Sequence, residues 1–308
     1  MGTGRADAES QSQLSHRPTG PRVIFCPRGH VLVGAPDERG KMSGRNWFLT
    51  FVTRIQGEDL YIREWLEYHL LVGVEHFFLY DMDRGQGQAA ILEPYEAAGV
   101  VTRIPWSHYE GTRLDRKRAW FRHNKSSLAH RHFARNFRSR VCWALKIDGD
   151  EFLYPLEGDD VVGPIRAFDR SRIRGICMPR FNFGDSGHES RPSGLVIENY
   201  QRREATRSSQ KEMANGEKLS GNHFRRGAHR WSHSLHKRGT LVSPDQVGTL
   251  RINHYFSKSF EEFQTRQNDN YLRRKTREQF ELRNRGRNDV DDGGMLRFAP
   301  AVRRALGL

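Results

Sequence analysis

The fold class follows from residues 141–152, VCWALKIDGDEF. The first part, Val141 to Ile147, is almost entirely apolar, which predicts a strand buried on both faces. The second part, Asp148-Gly149-Asp150-Glu151, crowds three carboxylates into four residues. A divalent cation, Mn²⁺ or Mg²⁺, relieves such repulsion and can also bind a diphosphate. The alternative is an ordinary acidic turn, because Asp-Gly is a common β-turn pair.

Strand and helix patterns alternate in the residues that lead up to this strand. Strands are predicted at Trp47–Val52, Glu75–Tyr80 and Val100–Ile104, and helices at Glu58–Val72, Gln88–Ala98 and Arg116–Arg138. This alternation is typical of a doubly wound α/β fold, whose mostly parallel sheet is flanked by helices. Ligands of such sheets bind beyond the carboxyl ends of the strands. We therefore expect the acidic turn at the ligand-binding edge.

The later half of the chain has a weaker pattern and is expected to form a smaller, acceptor-side region. Strands are predicted at Ile173–Pro179, Leu195–Tyr200 and Thr249–Tyr255, and a helix at Ser259–Arg273. The polar, glycine-bearing stretch Arg202–Arg230 is interpreted as a mobile loop. No apolar run of about 18 residues occurs, so no membrane span is expected.

The chain is strongly basic, with 51 Lys and Arg against 37 Asp and Glu among 308 residues and a formal charge of +14. Such a field attracts nucleic acid, an anionic membrane or phosphorylated substrates, although it could equally be a solvated Arg-rich surface. An alternative function is therefore nucleic-acid or polyanion binding through Arg116–Arg138 and Arg273–Arg287, but no nucleic-acid motif supports it. Three cysteines give no disulfide framework, which fits a reducing compartment such as the cytoplasm. The basic charge adds the expectation of peripheral contact at the anionic inner membrane surface.

A series of short motifs follows in order over roughly residues 47–265. They are Gln56–Glu58, Tyr61–His69, Gly73–Phe77, Tyr80-Asp81, Ile147–Phe152, Phe183–His188, Gly194–Glu198, Ile252–Tyr255 and Lys258–Phe263. The ordered set resembles glycosyltransferase family 92 and its bacterial family-2-like relatives. The resemblance implies a GT-A fold and a bacterial enzyme of polysaccharide biosynthesis. It implies transfer of a sugar, usually with inversion, from a nucleotide-sugar donor, a UDP-sugar, to a glycan or other hydroxyl acceptor.

The resemblance also assigns roles to individual acids. It implies that Glu58 and Asp81 line the nucleotide pocket, and that Asp148 and Asp150 form a metal-binding D-x-D motif completed by His254. From the chemistry of the turn, Asp150 is the better direct metal ligand, while Asp148 would face the ribose or share the metal through water. The family's opening Lys-Asn is replaced here by Gln56-Gly57.

Inversion needs a general base that takes a proton from the acceptor hydroxyl. Asp185, His188 and Glu189 lie in one glycine-flanked loop that could present them to a substrate. The alternative is a plain turn with capping residues. The domain prediction places a disordered tail at residues 1–44, a GT-A domain at 45–270 and a basic, helical C-terminal extension at 271–308.

Overall fold

The computed structural model describes residues 23–25, 31–33, 45–83, 85, 87–107, 125–221, 229–234, 239–265 and 275–308. The chain divides into two compact units, Met1–Met42 and Ser43–Leu308. In the first unit, strand β1 (Val23–Phe25) pairs antiparallel with β2 (Val31–Val33). The second unit holds every residue of the candidate site. The predicted boundaries at residues 44 and 270 stay predictions.

The second unit is built on a large mixed sheet. The described strands of this unit, in chain order, are β3 (Trp47–Ile55), β4 (His76–Asp81), β5 (Val101–Pro105), β6 (Val141–Lys146), β7 (Glu151–Pro155) and β8 (Ile173–Asn182), then β9 (Arg202–Arg203), β10 (Ser209–Asn215), β11 (Thr240–Val242), β12 (Leu250–His254) and β13 (Val290–Asp291). The spatial order is β5-β4-β3-β6-β10-β8-β12-β7, with β11 beside β8, while β9 and β13 form a separate pair. Five of the eight pairings described in the large sheet are parallel, which confirms the predicted mostly parallel sheet.

Helices lie between and around these strands. They are α1 (Ile62–Leu71), α2 (Gly87–Ala97), α3 (Lys125–Asn136), α4 (Val162–Arg166), α5 (Val196–Asn199), α6 (Pro244–Val247), α7 (Phe260–Thr265), α8 (Arg277–Asn284) and α9 (Ala299–Leu306). The predicted alternation over the first four strands of this unit is confirmed. The first residues of the predicted helix Arg116–Arg138 and the last of Ser259–Arg273 lie outside the described residues.

Consecutive residues of a strand point to opposite faces, so the central strands show how the helices cover the sheet. On one face, Trp65 of α1 packs 5.8 Å from Phe51 of β3 and 5.3 Å from Phe77 of β4, measured between ring centroids. On the other face, Phe133 of α3 packs 5.0 Å from Phe78. All five side chains are buried, so the sheet has a core on each side.

Two predictions for the later half are wrong. Leu195–Tyr200 was expected to be a strand, but its apolar residues form helix α5. The reason is a distant acid: the carboxylate of Glu64 accepts hydrogen bonds from the backbone N–H groups of Val196 and Ile197, at 2.9 and 3.0 Å, and so caps the start of the helix.

The expected mobile loop at Arg202–Arg230 is the second error. Residues 209–215 form β10, which lies between β6 and β8 in the sheet. Its polar sequence conceals this position because Lys211 and Glu212 are fully buried and have partners far away in the chain. The C-terminal residues also belong to the core, since Phe298 and Val302 are buried and α9 packs against α1.

Candidate functional site

The candidate site lies along the carboxyl edge of the sheet. Strands β3, β4 and β6 are parallel, and the two antiparallel pairings of β10 bring β8 and β12 into the same direction. The carboxyl ends of these five strands therefore share one edge. Asp81 ends β4, Asn182 ends β8 and His254 ends β12, and the turn from Asp148 to Asp150 follows β6 directly. This confirms the predicted position of the acidic turn.

The acidic turn is partly neutralised by the protein itself. The ammonium group of Lys211, on β10, lies 2.5 Å from Asp148 Oδ2 and 2.6 Å from Glu151 Oε2. Arg180 of β8 contacts the other carboxylate oxygen of Glu151 at 2.9 Å. Lys211 and Glu151 are fully buried, whereas the Asp148 side chain is 46% exposed. Asp148 is therefore tied to an internal cation on one side and open to solvent on the other.

The pKa of Glu151 reflects this arrangement. Burial alone would raise it, but the charge of Lys211, that of His254 whenever its ring is protonated, and that of Arg180 outweigh burial and lower the pKa. Burial likewise would lower the pKa of Lys211, but Asp148 and Glu151 raise it. Both groups are charged at neutral pH, so the base of the turn is a fixed ionic network.

The second acid of the turn faces a histidine. Asp150 Oδ1 lies 3.4 Å from His254 Nε2, and the two side chains are 5% and 8% exposed. The other ring nitrogen, His254 Nδ1, lies 2.7 Å from Asn182 Oδ1. The backbone carbonyl of Asp150 also accepts a hydrogen bond from the N–H of Tyr255, which holds the turn against the end of β12.

Glu58 and Asp81, the predicted nucleotide-pocket residues, are joined through Gln88. The amide of Gln88 accepts from the Glu58 backbone N–H and donates to Asp81 Oδ1, each at 2.9 Å. Asp81 is buried and also pairs with Arg103 at 2.7 Å. The Glu58 side chain lies so close to Gly149 that a Cβ there would fall 3.2 Å from Glu58 Cγ and Cδ. Glu58 thus lies directly against the acidic turn, whereas buried Asp81 holds Gln88 and Arg103 in place beside it.

The three candidate bases, Asp185, His188 and Glu189, have different surroundings in the loop after β8. Asp185 Oδ1 accepts from Gly187 N at 3.2 Å and from Asn288 Nδ2 at 2.8 Å. His188 Nε2 lies 3.1 Å from the carbonyl oxygen of Asn199. Glu189 is exposed, and hydrogen bonds from Arg277 lower the pKa of its carboxyl group.

The motifs and the fold have a common explanation in one protein family. The family model for glycosyltransferase family 92 matches residues 54–285, which is most of the chain. The chain belongs to this family. The resemblance inferred from the ordered motifs is confirmed, and the fold is of the α/β, Rossmann-like class.

Similar family 92 glycosyltransferases are found in plants. The chain is 25% identical over 214 residues to a family 92 protein of Oryza sativa subsp. japonica, covering 68% of this chain and 33% of the rice protein. It is 27% identical over 180 residues to one of Ricinus communis, covering 54% of this chain and 28% of that protein. The chain thus spans about a third of the length of the curated relatives it matches. A bacterial origin and a role in polysaccharide biosynthesis stay predictions.

The family 92 motif Tyr61–His69 has a structural role. Three of its side chains hold the backbone of β7, the strand that begins at Glu151. Trp65 Nε1 donates to Glu151 O at 2.7 Å, Tyr68 OH donates to Leu153 O at 3.0 Å, and Leu153 N donates to His69 Nε2 at 3.1 Å. Helix α1 thereby fixes the strand that follows the acidic turn.

A metal ion at this candidate site would have two protein ligands, Asp150 and His254. Among the described residues, no group of three or more His, Cys, Asp or Glu side chains could hold a metal ion. Asp150 and His254 supply a pair of ligand atoms 3.4 Å apart. Two neighbouring ligands of an octahedral cation with bonds of about 2.1 Å are about 3 Å apart, and Mg²⁺ is usually bound by one or two carboxylates, waters and substrate phosphates.

None of the described helices has the length and apolar character that a membrane crossing requires.

The sequence analysis did not single out Lys211, Asn182 or Gln88. It also did not single out Glu204, whose carboxylate accepts hydrogen bonds from Asn182 N and Nδ2 at 2.6 and 3.2 Å. Lys211 and Glu204 fall in the stretch interpreted as a loop, so their positions beside the site could not be inferred. Asn182 precedes the motif at Phe183–His188 by one residue, which is a weak signal. The assignments of Glu58, Asp81, Asp148, Asp150 and His254 to donor and metal stay predictions.

Proposed function

We propose that this glycosyltransferase transfers a sugar with inversion from a UDP-sugar to a hydroxyl group of a glycan or similar acceptor, and that it depends on Mn²⁺ or Mg²⁺. In this reaction the acceptor oxygen attacks the anomeric carbon, and the bond from that carbon to the diphosphate breaks. The acceptor proton passes to a base of the enzyme, and the nucleoside diphosphate leaves. The family, the position of the acidic turn and the pair formed by Asp150 and His254 support this proposal.

The proposed metal dependence rests on one observation: the side chains of Asp150 and His254 face each other at the site edge. Asp150 Oδ1 accepts hydrogen bonds when ionised, and His254 Nε2 is 3.4 Å away, which is too long for a strong hydrogen bond. A shared cation brings two such atoms together without a hydrogen bond. When bound, the cation supplies Lewis-acid stabilisation of the charge that develops on the leaving diphosphate.

The donor would lie along the edge between Glu58 and His254. Glu58 packs on Gly149, so a nucleotide bound against Glu58 would have its diphosphate beside the acidic turn. Lys211 already compensates Asp148, which lowers the repulsion between this turn and a diphosphate. Asp148 is then available to accept a hydrogen bond from the ribose on its exposed side.

Asp185 is the base that the loop geometry favours. Its Oδ1 is held by Gly187 and Asn288, which fixes the orientation of the carboxylate, and no hydrogen bond from a described residue reaches Oδ2. Glu189 is a weaker candidate, because its ion pair with Arg277 lowers the pKa of the carboxyl group and so lowers its basicity. His188 is oriented by a backbone carbonyl and stays a candidate.

The test is to incubate the purified full chain with a panel of nucleotide sugars and to measure stabilisation and turnover without metal, with Mn²⁺ and with Mg²⁺. We expect UDP and one UDP-sugar to raise the melting temperature only when the metal is present. A ligand at 100 times its Kd stabilises the folded state by about 2.7 kcal/mol. The anomeric configuration of the product, determined by NMR, tests inversion.

Other outcomes of the same experiment have clear meanings. If no nucleotide sugar stabilises the protein with either metal, the proposed donor and metal dependence are wrong. If the protein instead binds DNA in a strongly salt-dependent way, its basic surface serves polyanion binding. A cytoplasmic location with peripheral contact at an anionic membrane stays a prediction.

A further inference from the structure

His254 is connected to a carboxylate that the sequence did not single out. Glu204 lies in the segment between β9 and β10, and its Oε1 accepts a hydrogen bond from the backbone N–H of Asn182 at 2.6 Å. Its Oε2 accepts from the side-chain amide Nδ2 of Asn182 at 3.2 Å. The backbone N–H of Glu204 donates back to the carbonyl oxygen of Asn182 at 3.0 Å. Three hydrogen bonds thus join Asn182 and Glu204.

These hydrogen bonds determine the orientation of the Asn182 side-chain amide. An ionised carboxylate can only accept hydrogen bonds, so the NH₂ group of Asn182 must face Glu204. The amide oxygen Oδ1 must then face His254, and it lies 2.7 Å from Nδ1 of that ring. Because an amide oxygen can only accept, His254 Nδ1 must carry the proton.

The protonation of Nδ1 decides what His254 presents to Asp150. In the neutral ring, a proton on Nδ1 leaves Nε2 without one. The lone pair of Nε2 therefore faces Asp150 Oδ1 at 3.4 Å. A neutral imidazole with a bare nitrogen is the form that binds a metal ion.

We infer that Glu204 and Asn182 are positioning residues, which hold His254 in the tautomer that presents a bare Nε2 to Asp150. The consequence for metal binding rests on the proposed function, but the tautomer itself does not. The strand register explains why Asn182 can contact His254. Asn182 and His254 are paired neighbours at the ends of the parallel strands β8 and β12, so their side chains emerge together at the site edge.

Substitutions at positions 182 and 204 should move the proton of His254 from one ring nitrogen to the other. In Glu204→Gln, the new amide can donate to Asn182 Oδ1, which lets the Asn182 amide turn over. Its NH₂ group then faces His254, Nδ1 must accept, and the proton moves to Nε2, where it blocks the lone pair. Exchanging the two groups, in the double variant Asn182→Asp/Glu204→Gln, restores an acceptor opposite Nδ1 and keeps a donor at position 204.

The first measurement is the tautomer of His254 in metal-free protein, from ¹⁵N NMR of the imidazole ring at a pH where the ring is neutral. The His254→Gln variant assigns the signal. We expect the wild type and the double variant to carry the proton on Nδ1, and Glu204→Gln to shift a large fraction of molecules to Nε2. Glu217→Gln is the matched control, because it removes a surface carboxylate that pairs with Arg45.

The second measurement is the Kd for Mn²⁺ alone, by calorimetry. Loss of a partner that orients a ligand histidine weakens metal binding by about 10- to 100-fold. We expect such a rise in Kd for Glu204→Gln, recovery in the double variant and no change in Glu217→Gln. A packing role for Glu204 alone would not give recovery in the double variant, and melting temperatures identify any variant that fails to fold.

The outcomes separate this inference from the proposed function. Wild-type tautomer and Mn²⁺ affinity in Glu204→Gln would overturn the inference. If the wild type binds no Mn²⁺, the proposed metal dependence fails, and the tautomer measurement alone decides the role of Glu204. If Asn182→Leu, which lacks the acceptor, folds and keeps the proton on Nδ1, the inference is also wrong.

Discussion

Lys211 Nζ lies 2.5 Å from Asp148 Oδ2, so the first acid of the D-x-D turn already has a cation as its partner. The lysine comes from β10, 63 residues further along the chain. The two acids of the turn are therefore not equivalent. Asp148 is compensated by a fixed ammonium group, whereas Asp150 faces His254.

Asp150→Asn is expected to abolish Mn²⁺-stimulated transfer, because the amide keeps the size of the side chain but removes the negative charge. Removal of one electrostatic partner of the transition state costs about 100- to 1,000-fold in rate. Asp148→Asn should raise the Kd for Mn²⁺ much less, since Lys211 already offsets that charge. Turnover and Mn²⁺ binding of both variants give the comparison. Equal loss of Mn²⁺ affinity in the two variants would make Asp148 a principal ligand.

Lys211→Met should destabilise the fold strongly. It leaves the buried carboxylate of Glu151 with Arg180 as its remaining strong cation, and breaking a buried ion pair from one side costs about 3–5 kcal/mol. Lys218→Met, in the half-exposed turn after β10, is the matched control. Urea unfolding of the two variants tests this. Similar free energies of unfolding would show that the ionic network contributes little.

Gly149→Ala should weaken donor binding through Glu58. The new Cβ would lie 3.2 Å from Glu58 Cγ and Cδ, so the Glu58 side chain must shift by a few tenths of an ångström. We expect a higher KM for the donor with a smaller change in kcat. Gly85→Ala is the control, because a Cβ there meets no atom of the described residues within 4 Å. An unchanged KM would place the nucleotide away from Glu58.

The candidate bases can be ranked by substitution. General-base catalysis contributes about 100- to 10,000-fold. We expect Asp185→Asn to lower kcat by at least the lower figure, and Glu189→Gln to retain most of the activity, because that carboxylate is engaged by Arg277. His188→Gln completes the series. A large loss of kcat in Glu189→Gln alone would exchange the roles of the two acids.

His69 should make the fold sensitive to acid. Burial lowers its pKa from 6.5 to about 3, although a hydrogen bond to Trp65 O offsets part of this effect. Between these pH values the unfolded chain binds a proton that the folded protein does not. The contribution of neutral His69 to the free energy of unfolding is therefore fully present above pH 6.5. It is lost as the pH falls towards 3, with a slope of about 1.4 kcal/mol per pH unit for one proton.

The measurement for His69 is the free energy of unfolding against pH in the wild type and in His69→Gln. The variant loses the buried contacts of the ring at every pH, so only the slopes are compared. We expect the variant to be less stable at pH 7 but to lose less of its stability between pH 6 and about 4. Parallel curves would mean that another group controls the acid sensitivity.

The parallel part of the sheet could be predicted because its signals are local. The strand Val141–Lys146 is nearly continuous in apolar residues, and Gly73 and Gly99 mark the ends of helices in the sequence. The position of the acidic turn then follows from the alternation of strands and helices. For these elements, residues close in sequence determine the structure.

The missed elements depend on residues that are distant in sequence. Strand β10 has few apolar residues, and two of its buried positions are charged because Lys211 meets Glu151 and Glu212 accepts from Trp231 N at 3.1 Å. Helix α5 starts where it does because Glu64, 132 residues earlier, accepts the hydrogen bond of Val196 N. Single-sequence patterns contain no record of such contacts.

The insertion of β10 between β6 and β8 has a consequence for the way the chain folds. Strand β6 leaves its edge open until β10 arrives, so a nascent chain that ends before residue 209 exposes an unpaired strand edge that can associate with other chains. Asp148 and Glu151 also lack Lys211 until that moment. We therefore expect the two halves of the sheet to fold in one cooperative step rather than as successive domains, because β10 pairs with both halves and supplies Lys211 to Asp148 and Glu151.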